Sequence, residues 1–162
     1  MNGAGRRASL AHLALRRSGS VWYHTRTHGG EMSSARSRVL VIDDEERFCA
    51  LLCAMFQERG YNVASASTST EALAQVESFH PDVILMDIMM PGLSGLDLLK
   101  VIRDRPFPPR VIMVTATAEE QAAQQAMRDG AEAFVCKPVN FDTLERLISR
   151  IWPSQPTLPE SP

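Results

Sequence analysis

Apolar runs alternate regularly with amphipathic segments between residues 38 and 152. The runs RVLVID (38–43) and DVILMD (82–87) have continuous apolar centres, as strands covered on both faces do. The segment EERFCALLCAMFQERG (45–60) instead repeats its apolar residues at helical spacing. Strands that alternate with helices pair in parallel through right-handed crossovers. The pattern therefore predicts an α/β protein with a doubly wound parallel sheet, and its five strands are expected at 38–43, 61–67, 82–87, 110–116 and 133–138.

Two flanking segments depart from this pattern. Residues 1–37 are rich in Arg, Ser and Gly, with five arginines and no acid before Glu31, and we expect this basic leader to be disordered. Its composition also fits an organelle transit peptide, whereas a true start at Met32 would remove most of it and is the preferred interpretation. The tail 153–162 contains four prolines and is expected to be disordered. One folded domain is expected at 38–152, without an output domain.

Composition narrows the class of protein. The 162 residues are 44% apolar and 22% charged, which is typical of a soluble globular domain. No apolar run approaches the roughly 20 residues of a membrane-spanning helix, so no membrane contact is expected. From Glu31 onward 12 Lys and Arg face 19 acids, which argues against direct nucleic-acid binding. The three cysteines form no disulfide or zinc pattern, and we expect a reducing, cytoplasmic location.

Polar residues follow the predicted strands where each strand ends. Asp43 and Asp44 follow the first strand, Asp87 the third, Thr115 the fourth and Lys137 the fifth. Acids at a helix start can simply complement the helix dipole. In open parallel sheets, however, sites form beyond the carboxyl ends of the strands. We therefore expect these five side chains to share one cleft.

Several carboxylates in one cleft repel one another unless a cation joins them. Mg²⁺ is commonly bound through one or two carboxylates together with retained waters. An Asp carboxylate can also attack phosphorus and form an acyl phosphate when a metal and a lysine neutralise the transferred group. Asp87, with Thr115 and Lys137 beside it, fits a phosphoryl-acceptor site.

The chain resembles the receiver domain of two-component response regulators, including chemotaxis-type single-domain regulators, from about Arg38 to Trp152. The matching segments are DD at 43–44, MDIMMPGLSG at 86–95, VTA at 114–116 and KP at 137–138. The resemblance implies a flavodoxin-like (βα)5 fold with a five-stranded parallel sheet. It also implies that Asp87 is the phosphoryl acceptor of a phosphorelay and that Mg²⁺ is the cofactor.

The resemblance assigns the metal ligands residue by residue. Asp44 and Asp87 would bind Mg²⁺ directly, and Asp43 would act through a water molecule. The backbone carbonyl of Met89 would be a further ligand.

Further roles also follow from the resemblance. Lys137 would pair with the phosphoryl group, and the peptide bond before Pro138 would be cis. Thr115 and Phe134 would form a switch, in which the ring turns inward after phosphorylation. Phe134 stands where some members of the family have Tyr, so the inward ring gains no hydroxyl hydrogen bond.

These expectations describe a stand-alone receiver that is phosphorylated by a histidine kinase or a phosphotransfer protein. Signalling to an unidentified downstream effector protein is expected through the surface of the fourth helix, fifth strand and fifth helix, and homodimerisation through this surface is left open. The protein is expected to catalyse only its own phosphorylation and dephosphorylation, weakly, and not to be a metabolic enzyme.

Two alternatives differ in class. The first is a receiver-like adaptor that works without phosphorylation. The second is a hydrolase or flavin-binding protein on the same fold. Haloacid-type phosphohydrolases need a second Asp two residues after the nucleophile, where this chain has Met89, and flavin binding needs a phosphate loop where this chain has acids.

Overall fold

A computed structural model describes residues 15–18, 21–24 and 37–152 of the chain. Its strands are β1 (Leu15–Ser18), β2 (Val21–His24), β3 (Arg38–Ile42), β4 (Asn62–Ala66), β5 (Val83–Met86), β6 (Arg110–Thr115) and β7 (Ala133–Cys136). Its helices are α1 (Glu46–Glu58), α2 (Ser69–Phe79), α3 (Gly95–Arg103), α4 (Glu120–Arg128) and α5 (Phe141–Ile151). None of the helices in these ranges combines the length and the apolar character needed to cross a membrane.

The strands form one sheet in the order β1-β2-β7-β6-β5-β3-β4. The five strands from β3 to β7 are parallel to one another, and each is followed by a helix. The strand order reverses between β3 and β5, because β3 also pairs with β4 on its other side. The predicted doubly wound, flavodoxin-like (βα)5 fold is therefore confirmed.

Two strands precede this fold in the chain. β1 and β2 form an antiparallel hairpin, and β2 pairs antiparallel with β7, with Trp22 opposite Phe134. The disordered leader expected at 1–37 is corrected at these eight residues, and Ser37 is buried. The edge of β7 would otherwise present unpaired backbone groups, and the run VWYH is rich in residues that favour strands. The other residues of 1–36, and the tail 153–162, lie outside the described residues.

Apolar side chains cover both faces of the sheet. α2, α3 and α4 pack on one face and α1 and α5 on the other, and each face has its own cluster of buried residues. Leu40 and Ile42 face the first cluster, while Val39 and Val41 face the second. This alternation along one strand is what a strand buried on both faces requires.

The start of α3 fixes the loop that follows β5. Ser94 caps this helix by accepting a hydrogen bond from the backbone N–H of Asp97. Gly95 lies so close to the preceding loop that a Cβ atom at this position would overlap the backbone of Asp87 and Ile88. The backbone N–H of Gly95 also donates to the carbonyl of Ile88 at 2.9 Å. A glycine here therefore lets α3 hold the Asp87 loop directly.

Candidate functional site

Three aspartates meet beyond the carboxyl ends of β3 and β5. Asp43 is 2% exposed, Asp87 is 6% exposed, and Asp44 lies at the surface. One carboxylate oxygen from each lies within 4.8 Å of the others. The two strand ends are joined by a hydrogen bond in which the Asp87 N–H donates to the Ile42 carbonyl at 2.9 Å. Backbone pairing therefore holds three negative charges together in a partly buried place.

Lys137 brings a positive charge to the same place from the end of β7. Its Nζ lies 2.6 Å from Oδ2 of Asp43 and 3.9 Å from Oδ2 of Asp87. The Lys137 N–H donates to the carbonyl of Thr115 at 2.8 Å, and the Lys137–Pro138 peptide bond is cis. A single ammonium between two buried carboxylates leaves one net negative charge, and Asp44 raises the net charge of the cluster to two negative charges.

Thr115 and Phe134 lie on neighbouring strands and are both completely buried. Oγ1 of Thr115 accepts a hydrogen bond from the backbone N–H of Thr117 at 3.4 Å. Phe134 packs in the cluster under α3 and α4, so its ring already occupies an inward position in this structure. The resemblance to receiver domains implies this position only after phosphorylation.

The loop after β5 places Met89 beside Asp87. The Met89 N–H donates to Oδ1 of Asp87 at 3.3 Å, and the Met89 side chain is 65% exposed. An exposed apolar side chain here stands at the mouth of the site, while its backbone lies within reach of the carboxylate. Pro138, which follows Lys137 in the chain, is exposed.

Two residues of α1 belong to the site and were not assigned to it from the sequence. The ring of Phe48 lies 4.2 Å from Nζ of Lys137, measured to the ring centroid. The thiol of Cys49 donates to the carbonyl of Asp43 at 3.3 Å, and burial, with Asp43 nearby, raises the pKa of this thiol to about 11. Both residues follow the acidic run by less than two helical turns, which is the signal that could have placed them here.

The donor set fits a hard divalent cation. All three converging ligand groups are carboxylates, which Mg²⁺ prefers, and the described residues bring no His or Cys into this cluster of candidate ligands. Lys137 neutralises only part of the charge. The same arrangement offers a phosphoryl group one carboxylate, one ammonium and one buried hydroxyl at the ends of three neighbouring strands.

A protein-family profile matches most of this chain and identifies its family. The profile of the response regulator receiver domain matches residues 39–149. The chain belongs to the response regulator receiver family. Receiver domains are signalling domains that interact with histidine kinases or phosphotransfer proteins, and they bind Mg²⁺ at an acidic pocket.

Curated receiver-containing proteins are similar over most of this chain. The regulatory protein AtoC of Escherichia coli is 37% identical over 117 residues, which are 72% of this chain and 25% of AtoC. The DNA-binding response regulator MtrA of Mycobacterium tuberculosis is 31% identical over 107 residues, 66% of this chain and 46% of MtrA. The chain thus spans about a quarter to a half of the length of these relatives.

Solved receiver structures share the fold. A CheY-like receiver domain from Methanospirillum hungatei has a TM-score of 0.65 and 30% identity, with 72% of this chain and 98% of that chain covered. The CheX–CheY–BeF3–Mg²⁺ complex from Borrelia burgdorferi has a TM-score of 0.67 and 26% identity, with 72% of this chain and 89% of that chain covered.

Proposed function

We propose that this receiver accepts a phosphoryl group on Asp87 from a histidine kinase or a phosphotransfer protein, with Mg²⁺ as cofactor. The observation that carries the proposal is the convergence of buried Asp87 with Asp43, Asp44 and Lys137 at one end of the sheet. A buried carboxylate beside an ammonium and two further carboxylates costs free energy, because each charge must be desolvated. A purely structural role therefore does not explain the cluster.

In the proposed reaction, a carboxylate oxygen of Asp87 attacks the phosphorus of a phosphohistidine. A P–O bond forms, the P–N bond breaks, and the imidazole nitrogen leaves with the electron pair and takes up a proton. Lys137 moves from Asp43 toward the phosphoryl oxygens, and Thr115 donates its hydroxyl hydrogen to one of them. Mg²⁺, held by Asp44 and Asp87 directly, by Asp43 through water and by the Met89 carbonyl, would neutralise charge on the transferred group.

The same site would also remove the group. Water attacks the phosphorus of the acyl phosphate, the bond to the Asp87 oxygen breaks, and inorganic phosphate leaves. Met89 is exposed beside Asp87, so we expect its side chain to flank the route of that water and to influence how long the phosphorylated state lasts. The protein therefore acts on itself and is not a metabolic enzyme in this proposal.

The signal is expected to leave through the surface formed by α4, β7 and α5. Phosphorylation adds about 1.5 to 2 negative charges, which would draw Thr115 toward Asp87 and alter its packing near Phe134. Because the ring of Phe134 is already inside, the change would be carried by the backbone around Thr115 and by α4. The β7 edge is covered by β2, so a partner or a second copy would meet the hairpin together with the helices.

We also propose that the receiver works as a cytoplasmic regulator that acts on a separate effector protein. The relatives AtoC and MtrA are longer, and their further activities are not carried over to this chain.

Intact-protein mass after incubation with acetyl phosphate and Mg²⁺ tests the acceptor. We expect the wild type to gain one phosphoryl group and Asp87→Asn to gain none, and we expect EDTA to abolish the gain. Asp97→Asn is the matched control, because Asp97 is an acid on α3 outside the cluster. A folded wild type that gains no group, while still binding Mg²⁺, would instead support the phosphorylation-independent adaptor.

A further inference from the structure

The antiparallel hairpin of β1 and β2 extends a sheet that is otherwise that of the family. The receiver profile begins at residue 39, after the hairpin. β2 pairs with β7, so that residues 21–23 lie opposite residues 133–135. At the opposite edge of the sheet, β4 pairs only with β3 among the described strands. The hairpin therefore covers one particular edge of the parallel sheet.

The covered edge leads directly to the aspartate site. β7 has four residues, and three of them, including Phe134, pair with β2. Lys137 follows the last residue of this strand. On its other side β7 pairs with β6, where Cys136 lies opposite Thr115. A short strand that is paired on both sides has little freedom to shift, so β2 helps to fix the backbone that carries the Lys137 ammonium.

The hairpin also lies beside a helix that belongs to the proposed response. Backbone atoms of β2 approach those of α4, in addition to the pairing of β2 with β7. In the proposed function, phosphorylation changes the backbone around Thr115 and the position of α4. The hairpin thus contacts α4 directly, and it contacts the neighbour of Thr115 through β7. A change in either element would alter the surface to which β2 binds.

The hairpin is an element that a modest change can release. An isolated two-stranded hairpin is at best marginally stable in water, so β1 and β2 depend on their pairing with β7. That pairing spans only residues 133–135 of β7. Residues 25–37 join β2 to β3, so a released hairpin stays tethered and can bind again intramolecularly. Elements with few stabilising contacts open at a small cost in free energy.

We propose that the hairpin is an inhibitory cover: its binding to β7 opposes phosphorylation of Asp87, and phosphorylation releases it. This inference rests on the proposed function. With the hairpin bound, Nζ of Lys137 lies 2.6 Å from Asp43 and 3.9 Å from Asp87. Phosphorylation would draw this ammonium toward Asp87 and shift the end of β7. Because the hairpin and the phosphoryl group favour different positions of one strand, each disfavours the other.

Release would turn β7 into an edge strand. Its unpaired N–H and C=O groups would then be free to pair with a strand of the effector protein. The signal would be the uncovering of a strand edge and not a rotation of Phe134, because that ring is already buried in the cluster under α3 and α4.

Hydrogen exchange of the full-length protein tests the release. With acetyl phosphate and Mg²⁺ present throughout, we expect the β7 amides that face β2 to exchange at least about fivefold faster than without acetyl phosphate. β4, at the opposite edge of the sheet, is the internal control and should keep its exchange rate. Asp87→Asn should show no change in β7 under the same conditions.

Trp22→Pro tests the inhibitory direction in the full chain. β2 pairs with β1 on one side and β7 on the other, so a proline within it disrupts the hairpin whichever way the missing N–H points. We expect acetyl phosphate to label this variant at least about fivefold faster than the wild type, because the reactive arrangement is populated more often. Thr27→Pro, outside both strands, is the matched control and should label at the wild-type rate. Unchanged protection of β6 verifies that the domain stays folded.

The outcomes separate this inference from the function on which it rests. If the wild type is labelled and Asp87→Asn is not, equal β7 exchange with and without acetyl phosphate would overturn the inhibitory cover alone. Labelling of Trp22→Pro at or below the wild-type rate would do the same. Absence of labelling in the wild type and in Trp22→Pro would contradict the proposed function and this regulation with it.

Discussion

Phe48 illustrates how one side chain can serve two purposes. It lies in the first turn of α1, where the sequence pattern assigns it to the core, and it packs partly against the buried cluster under α1 and α5. Its ring also faces the ammonium of Lys137 at 4.2 Å. A cation over an aromatic face is attracted by the ring quadrupole, so Phe48 helps to fix where Lys137 lies.

We expect Phe48→Leu to slow labelling by acetyl phosphate about threefold, because a contact of this type contributes on the order of 0.5 to 1 kcal/mol. Phe48→Tyr retains an aromatic face and should label at the wild-type rate. The decisive measurement is a double-mutant cycle with Lys137→Ala. If Phe48→Leu slows labelling equally with and without Lys137, its role is packing alone.

The sequence was sufficient to predict which residues converge, and insufficient to predict their contacts. Asp43, Asp44, Asp87 and Lys137 meet because parallel strands share one carboxyl edge, which follows from topology. The pairing of Lys137 with Asp43, which is closer than Asp87, depends on side-chain rotamers. The inward ring of Phe134 likewise depends on tertiary packing that no local pattern encodes.

Among the secondary-structure elements, the junction of β5 and α3 leads to a specific prediction for stability and for phosphorylation. Gly95→Ala would force the new methyl group against the backbone of Asp87 and Ile88. We expect it to lower the free energy of unfolding by about 1–3 kcal/mol and to slow phosphorylation, since the acceptor loop must move. Urea unfolding and intact-mass kinetics measure the two effects.

Gly92 provides the comparison within the same loop. It has a φ of 83° and open space around its Cα, so Gly92→Ala introduces backbone strain without a clash. A loss of about 1–2 kcal/mol with an unchanged labelling rate is expected. Equal labelling defects in both variants would mean that loop strain, and not the close approach of Gly95, controls the position of Asp87.

The hairpin predicts a second effect at the level of elements. In a chain that begins at Met32, β7 becomes an edge strand, and its outward-facing amides should exchange with solvent at least about tenfold faster than in the full chain. The central strand β6 is the internal control and should keep its protection. Equal exchange of β7 in both chains would exclude stable pairing of β2 with β7.

The pattern predicted the five parallel strands well and missed this hairpin for a physical reason. Buried strands can be recognised in the sequence by their continuous apolar runs, whichever elements surround them. β1 and β2 lie in an Arg- and Ser-rich leader, and β2 pairs with the edge strand of an existing sheet. Such pairing depends on a strand more than a hundred residues away in sequence, which a local window cannot detect.

For the whole molecule, Cys49 should make stability depend on alkaline pH. Its pKa is raised from 9.0 to about 11 in the fold, chiefly by burial. Below about pH 9 the thiol is protonated in both states and its contribution is complete. Between about pH 9 and pH 11 the unfolded chain loses the proton while the folded protein keeps it, so up to about 2 kcal/mol of stability is lost.

Urea unfolding at about pH 8 and about pH 10.5 measures this dependence. Cys49→Ala should be less stable than the wild type at the lower pH and should lose less stability at the higher one. Cys136→Ala, at a less buried thiol, serves as the control and should follow the wild-type slope. A wild type and a Cys49→Ala variant with the same slope would contradict the assignment.

The pairing of β2 with the edge of β7 also affects where a label or a fusion partner can be attached to this protein. Because β1 and β2 extend the sheet beside α4, a fluorophore or fusion partner attached ahead of Leu15 would be tethered next to the proposed signalling surface. A tag joined directly to Leu15 would therefore be a perturbation in binding assays. The same closeness would make it a sensitive reporter, since a partner that displaces the hairpin would move the dye into a new environment.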